Sequence, residues 1–202
     1  MKYLDKIDTV AKKIGAVNTI VNNKGKLTGY NTDYIGAKES LKLLKPAKKH
    51  NFLVLGTGGA TRSILFALDN LGFTKITISG RNYIKAKKLA DKFDSEVISW
   101  NEREKCTNEV LINATPIGMY PNTRYSPVSK IYIKNLKYVM DIISNPTETR
   151  LIKNAKSLKI KNSNGLTMSL FQARAQFKLY TGLNLPMEVM KKAVSKYYKK
   201  KK

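Results

Sequence analysis

The chain has 202 residues, of which 42% are hydrophobic, and its 38 Lys and Arg against 14 Asp and Glu give a formal net charge of +24. This length allows one complete domain with part of a second, and the single cysteine, Cys106, excludes an internal disulfide and a cysteine metal site. No apolar run approaches the roughly 20 residues of a membrane span and the first residues are charged, so we expect a soluble cytoplasmic protein with no membrane partner.

The strong positive charge has two interpretations. Clustered cations would suit a nucleic acid, because they release counterions from its phosphates. The lysines are instead spread along the chain, and only the terminal residues 197–202, YYKKKK, form a basic block. We therefore predict no nucleic-acid partner and keep a basic nucleic-acid-binding domain as a less favoured alternative. The charge would help to attract an anionic cofactor and substrate.

The first 50 residues predict a helix, a β-hairpin and a second helix. In chain order the predicted elements are the end of an amphipathic helix over 5–13, a strand over 15–21, a turn over 22–25, a strand over 26–30 and a helix over about 34–44. Thr32 and Asp33 can cap the second helix, which Pro46 ends. The single histidine, His50, lies in a lysine-rich connector and is interpreted as a solvated linker residue.

Strands and helices alternate from residue 51 to about residue 162. The pattern predicts strands near 52–55, 75–79, 96–98, 109–112, 138–142 and 159–161, and helices near 61–71, 83–93 and 148–157. This alternation is typical of an α/β fold, a Rossmann-like parallel sheet with helices on both faces. After Gly165 the pattern changes to two helices, over about 167–181 and 187–198.

A glycine-rich turn stands between the first of these strands and its helix. Residues 56–62, GTGGATR, follow the apolar run NFLVL and precede a helical pattern that stops at Gly72. Strand, glycine turn and helix in this order are typical of the first unit of a dinucleotide-binding fold. The glycines let the backbone approach a pyrophosphate, and the helix N-terminus offers free N–H groups to that anion. An ordinary glycine-rich turn is the less favoured alternative.

The end of the second strand indicates which dinucleotide binds. NAD-binding proteins usually carry an acid there for the ribose 2′-hydroxyl. Residues 80–85 read GRNYIK and contain no carboxylate. The guanidinium of Arg81 suits a 2′-phosphate, and Lys85 follows one helical turn later. Alternatively, Arg81 is one of many surface cations. The missing acid favours NADP over NAD.

Four further segments accompany the glycine loop: residues 14–20, IGAVNTI; 29–33, GYNTD; 113–119, NATPIGM; and 165–172, GLTMSLFQ. In order and spacing they resemble the shikimate dehydrogenase family (shikimate/quinate 5-dehydrogenases) across essentially the entire chain. Members have a substrate lobe and an NADP-binding lobe, and they reduce 3-dehydroshikimate to shikimate in aromatic amino-acid biosynthesis, on the way to chorismate. The resemblance implies a substrate-domain remnant over 1–32, an NADP-binding Rossmann-like domain over 33–164, and C-terminal helices over 165–202 that return to the substrate lobe and end in a basic tail.

The resemblance also implies roles for individual residues. The implied substrate-binding residues are Asn18, Asp33, Ser144 and Gln172, with Asp33 as the catalytic carboxylate. The implied cofactor-binding residues are Gly56, Thr57, Gly58, Gly59, Ala60, Gly80, Arg81, Asn82, Lys85, Thr115, Ile142, Gly165 and Met168. The amides suit a polyhydroxylated substrate, because an amide both donates and accepts hydrogen bonds. Structural alternatives exist: Asp33 as a helix N-cap, and Met168 as a core residue.

Two departures from the family pattern affect the expected activity. The family pairs the aspartate at Asp33 with a lysine, which lies in a segment that should precede Met1. None of the four lysines among the first 13 residues aligns with it. Ser144 stands where members usually carry tyrosine. Because losing a positioned acid/base costs roughly 10²–10⁴ in rate, we expect impaired shikimate dehydrogenase activity from this chain alone.

The alternatives are a non-catalytic NADP-binding remnant, or one part of a split or fused protein whose other part supplies the lysine. Quinate as substrate and NAD as cofactor stay open within the enzyme class. The oligomeric state stays open as well. A homodimer is one option, because an incomplete lobe could expose apolar surface.

Overall fold

The computed structural model describes residues 1–199, with side chains described up to Lys196. The strands of this part are β1 (Lys6–Ile7), β2 (Thr19–Asn23), β3 (Lys26–Tyr30), β4 (Phe52–Leu55), β5 (Ile76–Ser79), β6 (Glu96–Ile98), β7 (Val110–Asn113), β8 (Tyr138–Asp141) and β9 (Lys161–Ser163). The helices are α1 (Thr9–Ile14), α2 (Asp33–Leu44), α3 (Gly59–Asn70), α4 (Tyr83–Lys92), α5 (Lys130–Ile133), α6 (Arg150–Ser157), α7 (Gly165–Thr181) and α8 (Met187–Lys199). The side chains of the predicted basic tail, residues 197–202, lie outside the described part.

A six-stranded parallel sheet forms the larger part of the fold, in the order β6-β5-β4-β7-β8-β9. The central strands β4, β5 and β7 are buried along their whole length, which requires cover on both faces of the sheet. One hydrophobic core lies between the sheet and α2, α3 and α4, and a second between the sheet and α5 and α6. The predicted α/β fold with a Rossmann-like parallel sheet is confirmed.

The order of the strands reverses beside β4. From β4 the chain adds β5 and β6 on one side, and then crosses back to add β7, β8 and β9 on the other. The loops that leave the carboxyl ends of β4 and β7 therefore diverge and leave a crevice between them, which is where dinucleotides bind in folds of this type. The glycine loop leaves β4 at this point.

A smaller sheet, β1-β3-β2, is formed by the first 30 residues. Strands β2 and β3 make the predicted antiparallel hairpin. The predicted helix over 5–13 is wrong in its first part, because Lys6 and Ile7 pair in parallel with β3. Asp5 fixes this pairing by accepting a hydrogen bond from Leu27 N at 2.7 Å. Asp8 then caps α1, accepting from Val10 N at 2.9 Å.

Helix α2 packs against both α3 and α7 and follows directly on the small sheet. The side chain of Thr32 does not cap it, contrary to the prediction, because its hydroxyl is bonded to Asn18. Asn31 Oδ1 accepts from Tyr34 N at 3.1 Å instead. A Cβ on Gly36 would lie 2.6 Å from the carbonyl oxygen of Met168, so the close packing of α2 on α7 needs glycine there.

His50 is not a solvated linker residue. It is 5% exposed, its Nδ1 accepts from Ala47 N at 3.1 Å, and its ring centroid lies 5.5 Å from that of Tyr138. The connector therefore folds against the start of β8, because the imidazole accepts a hydrogen bond from a backbone N–H while its ring packs on Tyr138.

The two sheets fall on either side of residue 33, since the small sheet ends at Tyr30 and the large one begins at Phe52. The division of the chain into domains stays a prediction. Within residues 1–199, no helix combines the length and the hydrophobicity that crossing a membrane requires.

Candidate active site

A cleft of about 850 Å³ opens at the carboxyl edge of β4, β5 and β7. Three predicted segments meet there: the glycine loop after β4, the turn after β5 and the segment after β7. The residues that line it are Gly56, Thr57, Gly58, Gly80, Arg81, Asn82, Lys85, Trp100, Arg103, Ala114, Thr115, Pro116, Ile117, Gly118, Met119, Tyr120, Pro121, Asn122, Tyr125, Ser126 and Pro127. The loops that the topology places at the reversal point therefore form one concave surface.

The glycines that line the cleft have different tasks. Gly56 has φ +123°, and a Cβ there would lie 2.6 Å from the carbonyl oxygen of Ala114. A Cβ on Gly80 would lie 2.6 Å from Thr57 Cγ2. A Cβ on Gly58, in contrast, would meet no atom within 4 Å. Gly56 and Gly80 thus permit close packing, whereas Gly58 leaves its backbone accessible from the cleft.

Helix α3 begins directly after Gly58. Thr61 Oγ1 accepts a hydrogen bond from Gly58 N at 3.2 Å, which fixes the first turn. The remaining N–H groups of this turn have no acceptor within the helix. Because they lie at the positive end of the helix dipole, the start of α3 is suited to a phosphate group.

Three cations line the cleft: Arg81, Lys85 and Arg103. None of the lining residues is Asp or Glu. Asn82 has a local task, since its Oδ1 accepts from Lys85 N at 2.9 Å and caps α4. The cap fixes the first turn of α4, which carries Lys85, directly after Arg81. A carboxylate-free surface with several cations favours an additional phosphate over a bare ribose hydroxyl.

Sequence reasoning missed Trp100 and Arg103. The guanidinium of Arg103 stacks 4.3 Å from the centre of the Trp100 ring. Its Nε donates to Pro127 O at 2.7 Å and its Nη1 to Trp100 O at 2.7 Å. Arg103 therefore ties the wall after β6 to the end of the segment after β7. No motif marks these residues, although their place just after β6 puts them at the same edge as the glycine loop.

Thr115 is held by its own loop. Its Oγ1 donates to Asn113 Oδ1 at 2.7 Å and accepts from Ile117 N at 3.2 Å. Asn113 in turn donates from Nδ2 to Asp141 Oδ1 at 3.1 Å. Asp141 also accepts from Thr149 Oγ1 at 2.6 Å and from Ile143 N at 3.1 Å. Burial raises the pKa of Asp141 to about 6, although these hydrogen bonds act against the rise.

Nine predicted site residues are not among those that line the cleft: the cofactor residues Gly59, Ala60, Ile142, Gly165 and Met168, and the substrate residues Asn18, Asp33, Ser144 and Gln172. A Cβ on Gly165 would overlap the carbonyl group of Ile143, so α7 starts in close contact with the loop after β8. Ile142 and Ser144 are half-buried in that loop. Met168 is 5% exposed and belongs to the hydrophobic core. Met168 therefore lies in the core beside Gly36, which is the structural alternative that the sequence offered for it.

Asn18 and Asp33 are in direct contact. Asn18 Nδ2 donates to Asp33 Oδ1 at 2.8 Å, while Asn18 Oδ1 accepts from Thr32 N and from Thr19 Oγ1, each at 2.8 Å. Burial raises the pKa of Asp33, and the hydrogen bond from Asn18 partly offsets this. Asp33 is the first residue of α2 rather than its cap, and its half-buried carboxylate lies beside the exposed amide of Asn18.

The third predicted substrate residue, Gln172, lies on α7 against α2. Gly36 lies one turn after Asp33 on α2, and a Cβ on Gly36 would lie 3.3 Å from the Cβ of Gln172. One turn further along α7, Gln176 donates from Nε2 to Thr19 Oγ1 at 3.0 Å. Sequence reasoning missed Gln176, because only the fold brings α7 against β2.

The polar group around Asn18 adjoins the glycine loop. A Cβ on Gly59 would lie 3.9 Å from the Cβ of Ala16, two residues before Asn18. Arg62 of α3 donates from Nη1 to Gly15 O at 2.9 Å. A ligand at the start of α3 and a ligand at Asn18 and Asp33 would therefore be neighbours, which is the arrangement that a reaction between a cofactor and a substrate needs.

Comparison with known proteins identifies the family that shares these features. Residues 37–162 match the sequence profile of Shikimate / quinate 5-dehydrogenase. Relatives named shikimate dehydrogenase (NADP(+)) include those of Methanococcus maripaludis, 41% identical, and Methanocaldococcus jannaschii, 43% identical, each match covering 96% of this chain and 72% of the relative.

Solved structures agree with this assignment. The shikimate 5-dehydrogenase of Thermus thermophilus, in complex with NADP(H) and shikimate, is 32% identical with a TM-score of 0.85, over 96% of this chain and 73% of that one. Quinate dehydrogenase from Corynebacterium glutamicum, in complex with NAD, is 28% identical with a TM-score of 0.87, over 97% and 73%.

Proposed function

The chain belongs to the shikimate/quinate 5-dehydrogenase family, and from this premise we propose that it functions as an NADP-dependent shikimate dehydrogenase, which reduces 3-dehydroshikimate to shikimate in aromatic amino-acid biosynthesis. One observation carries the proposal: a cleft with three cations and no carboxylate adjoins the hydrogen-bonded pair of Asn18 and Asp33. The cleft suits NADP, and the polar pair suits a hydroxylated acid.

The residues of the cleft fit the parts of NADP. The open backbone at Gly58 and the first N–H groups of α3 would hold the pyrophosphate. Arg81 and Lys85 would hold the 2′-phosphate, because a guanidinium binds phosphate through paired hydrogen bonds. The indole of Trp100 would give the adenine an apolar wall.

On the substrate side, Asn18, Asp33 and Gln172 would bind the hydroxyl groups of shikimate. When bound, the nicotinamide exchanges a hydride with the carbonyl carbon of the substrate, and the protein orients both partners. The oxygen that becomes an alkoxide needs a proton donor. Among the side chains described, up to Lys196, Asp33 forms no ion pair. We therefore expect slow turnover from these residues alone, lower by roughly 10²–10⁴.

Cofactor binding can be tested without turnover. Trp100 is the single tryptophan and it lines the cleft, so its fluorescence reports on the cofactor. We expect NADP to bind more tightly than NAD, and Arg81→Ala to remove the difference. Lys88→Ala, an exposed change of the same charge on α4, is the control. Equal titration curves for NAD and NADP with the unmodified chain would contradict the cofactor assignment.

Turnover is tested by NADPH formation from shikimate, with quinate and NAD as the competing substrate and cofactor. The expected result is measurable oxidation of shikimate with NADP, abolished by Asp33→Asn. Faster turnover of quinate would place the chain among the quinate-oxidising members. Binding of neither NADP nor shikimate would overturn the proposal. A cytoplasmic location and the absence of a nucleic-acid partner remain predictions.

A second candidate is a non-catalytic NADP-binding protein, or one part of a split enzyme. Two observations favour it. Within the described part of the chain, no cationic side chain forms an ion pair with Asp33. A largely apolar groove of about 420 Å³ lies between α2 and α7, and its walls include Tyr30, Ile35 and Leu179. NADP binding without any turnover would support it. Turnover that appears only when a second polypeptide carrying a substrate-lobe lysine is added would identify the split enzyme.

A further inference from the structure

Three consecutive backbone carbonyls, beginning with that of the last residue of α1, each accept a hydrogen bond from a side chain that is distant in the sequence. Lys92 Nζ donates to Ile14 O at 3.1 Å. Arg62 Nη1 donates to Gly15 O at 2.9 Å. Asn31 Nδ2 donates to Ala16 O at 3.0 Å. We call residues 14–16 the tethered segment. Its position is therefore fixed by side chains that do not belong to strands β2 and β3.

The sequence adapts the tethered segment to these donors. Gly15 has φ +77° and ends α1, with its N–H bonded to Ala11 O at 2.9 Å, so the next carbonyls turn away from the helix. A Cβ on Gly15 would lie 3.3 Å from Lys92 Nζ and 3.4 Å from Arg62 Nη1. Glycine thus supplies both the left-handed turn and the space that the two cations occupy.

Helix α3 holds the tethered segment twice. Arg62 does so directly. Its neighbour Ser63 does so through Asn31, because Ser63 Oγ donates to Asn31 Oδ1 at 3.0 Å while Asn31 Nδ2 bonds the segment. Asn31 is 6% exposed and Ser63 is fully buried, so water does not compete strongly for these bonds. Arg62 and Ser63 both lie close to the start of α3, where the phosphates of the cofactor are expected.

The geometry points to Arg62 and Asn31 as positioning residues for the substrate side of the site: they fix the tethered segment relative to the cofactor helix α3 and thereby hold Asn18 on Asp33. This inference rests on the proposed function for its ligands, but neither residue is expected to touch them. Asn18 lies two residues beyond the tethered segment, and its backbone N donates to Tyr30 O at 3.0 Å, next to Asn31. This bond and the bond from Asn31 to Ala16 O together hold residues 16–18 against the end of β3, so loss of the second bond is expected to loosen the Asn18 amide.

Variants of Arg62 separate positioning from charge. Arg62→Met keeps the length of the side chain and removes its donors. Arg62→Lys keeps a donor that can reach Gly15 O, and is expected to restore most of the effect. Lys88→Met, on the exposed face of α4, is the control for loss of one positive charge. Asn31→Asp keeps the acceptor for Ser63 but places an oxygen against Ala16 O, so it should act like Arg62→Met.

Two measurements decide the inference. Amide hydrogen exchange of residues 14–20, without ligands, should be about 10-fold faster in Arg62→Met, with the amides of β4 and β7 unchanged. Shikimate should bind about 5- to 10-fold more weakly to the NADP-saturated variant, which corresponds to the loss of one hydrogen bond, while NADP affinity stays within about twofold. The lysine variant should recover both values.

Unchanged exchange over residues 14–20 in both Arg62→Met and Asn31→Asp would overturn the inference. Equal weakening of NADP and shikimate would also overturn it, because it would mean that α3 itself is disturbed. If the unmodified chain binds no shikimate, the proposed substrate fails, and the exchange rates around Asn18 still decide whether the tether holds this segment.

Discussion

Asn113 donates a hydrogen bond from Nδ2 to Asp141 Oδ1 at 3.1 Å, and both side chains are fully buried. The bond joins the carboxyl ends of the neighbouring strands β7 and β8. On the other side Asn113 holds Thr115 in the wall of the cleft, and Asp141 holds Ile143 N in the loop that α7 packs against. Two loops around the candidate active site therefore share one buried carboxylate.

Asp141 is expected to make the stability of the fold depend on pH. Its pKa is raised from 3.8 to about 6, so between these values the folded protein binds more protons than the unfolded one. The contribution of Asp141 to stability is therefore largest in acid and falls as the pH rises through about 6, by about 3 kcal/mol in total.

The measurement is the free energy of unfolding in urea from about pH 3.5 to 7. Relative to Asp141→Asn, the unmodified protein should lose stability across this range. Asp69→Asn, an exposed change on α3, is the control and should follow the unmodified protein. A constant difference between the unmodified protein and Asp141→Asn at every pH would contradict the prediction.

Alanine at Gly56 and at Gly58 should have opposite signatures. Gly56→Ala forces a residue with a Cβ to φ +123°, 2.6 Å from Ala114 O, and should destabilise the fold by about 2 kcal/mol or more. Gly58→Ala meets no atom within 4 Å and has an extended backbone that any residue adopts, so stability should change little.

Cofactor affinity completes this comparison. The methyl group of Gly58→Ala would occupy the space through which the pyrophosphate approaches α3, so NADP should bind at least about 10-fold more weakly, read from Trp100 fluorescence. A stable Gly58→Ala variant with unchanged NADP affinity would mean that the phosphates do not pass this glycine.

Removal of the Asn18 amide should raise the pKa of Asp33. Burial already raises this pKa and the hydrogen bond from Asn18 lowers it, so only the raising influence remains in Asn18→Ala. On acidification, the Asp33 carboxylate would then become protonated at a higher pH. The titration of Asp33 can be followed by carbon NMR, with Asn23→Ala in the exposed hairpin as control. A lower pKa in Asn18→Ala would show that the amide does not stabilise the charged form.

A lysine at position 103 should not preserve the structural role of Arg103. A lysine keeps the positive charge but cannot bond Pro127 O and Trp100 O at once, as the guanidinium does. We expect Arg103→Lys to lower stability by about 1–2 kcal/mol and to weaken NADP several-fold, because the two walls of the cleft separate. Unfolding in urea and NADP titration measure the two effects. Arg150→Lys, at an exposed position on α6, should change neither.

The order of strands and helices along residues 51–162 followed from the sequence because its signals are local. Residues 52–55 and 110–112 are short apolar runs, and such runs become buried parallel strands whatever their exact neighbours. The first part of the helix predicted over 5–13 is wrong for the opposite reason. Lys6 and Ile7 fit a helical pattern, but they pair with β3, more than 20 residues later.

The sequence by itself determined the strands and helices of the Rossmann-like sheet, the glycine loop and the NADP-favouring Arg81, since each depends on residues that are adjacent in the chain. Only the tertiary structure decided the roles of Trp100 and Arg103 in the cleft, of Asn31 and Arg62 at the tethered segment, and of Met168 in the core. Their partners lie far away in the chain, such as Pro127, 24 positions from Arg103, and Gly15, 47 positions from Arg62. The crossover order of the strands creates these contacts, and no local pattern of residues specifies that order.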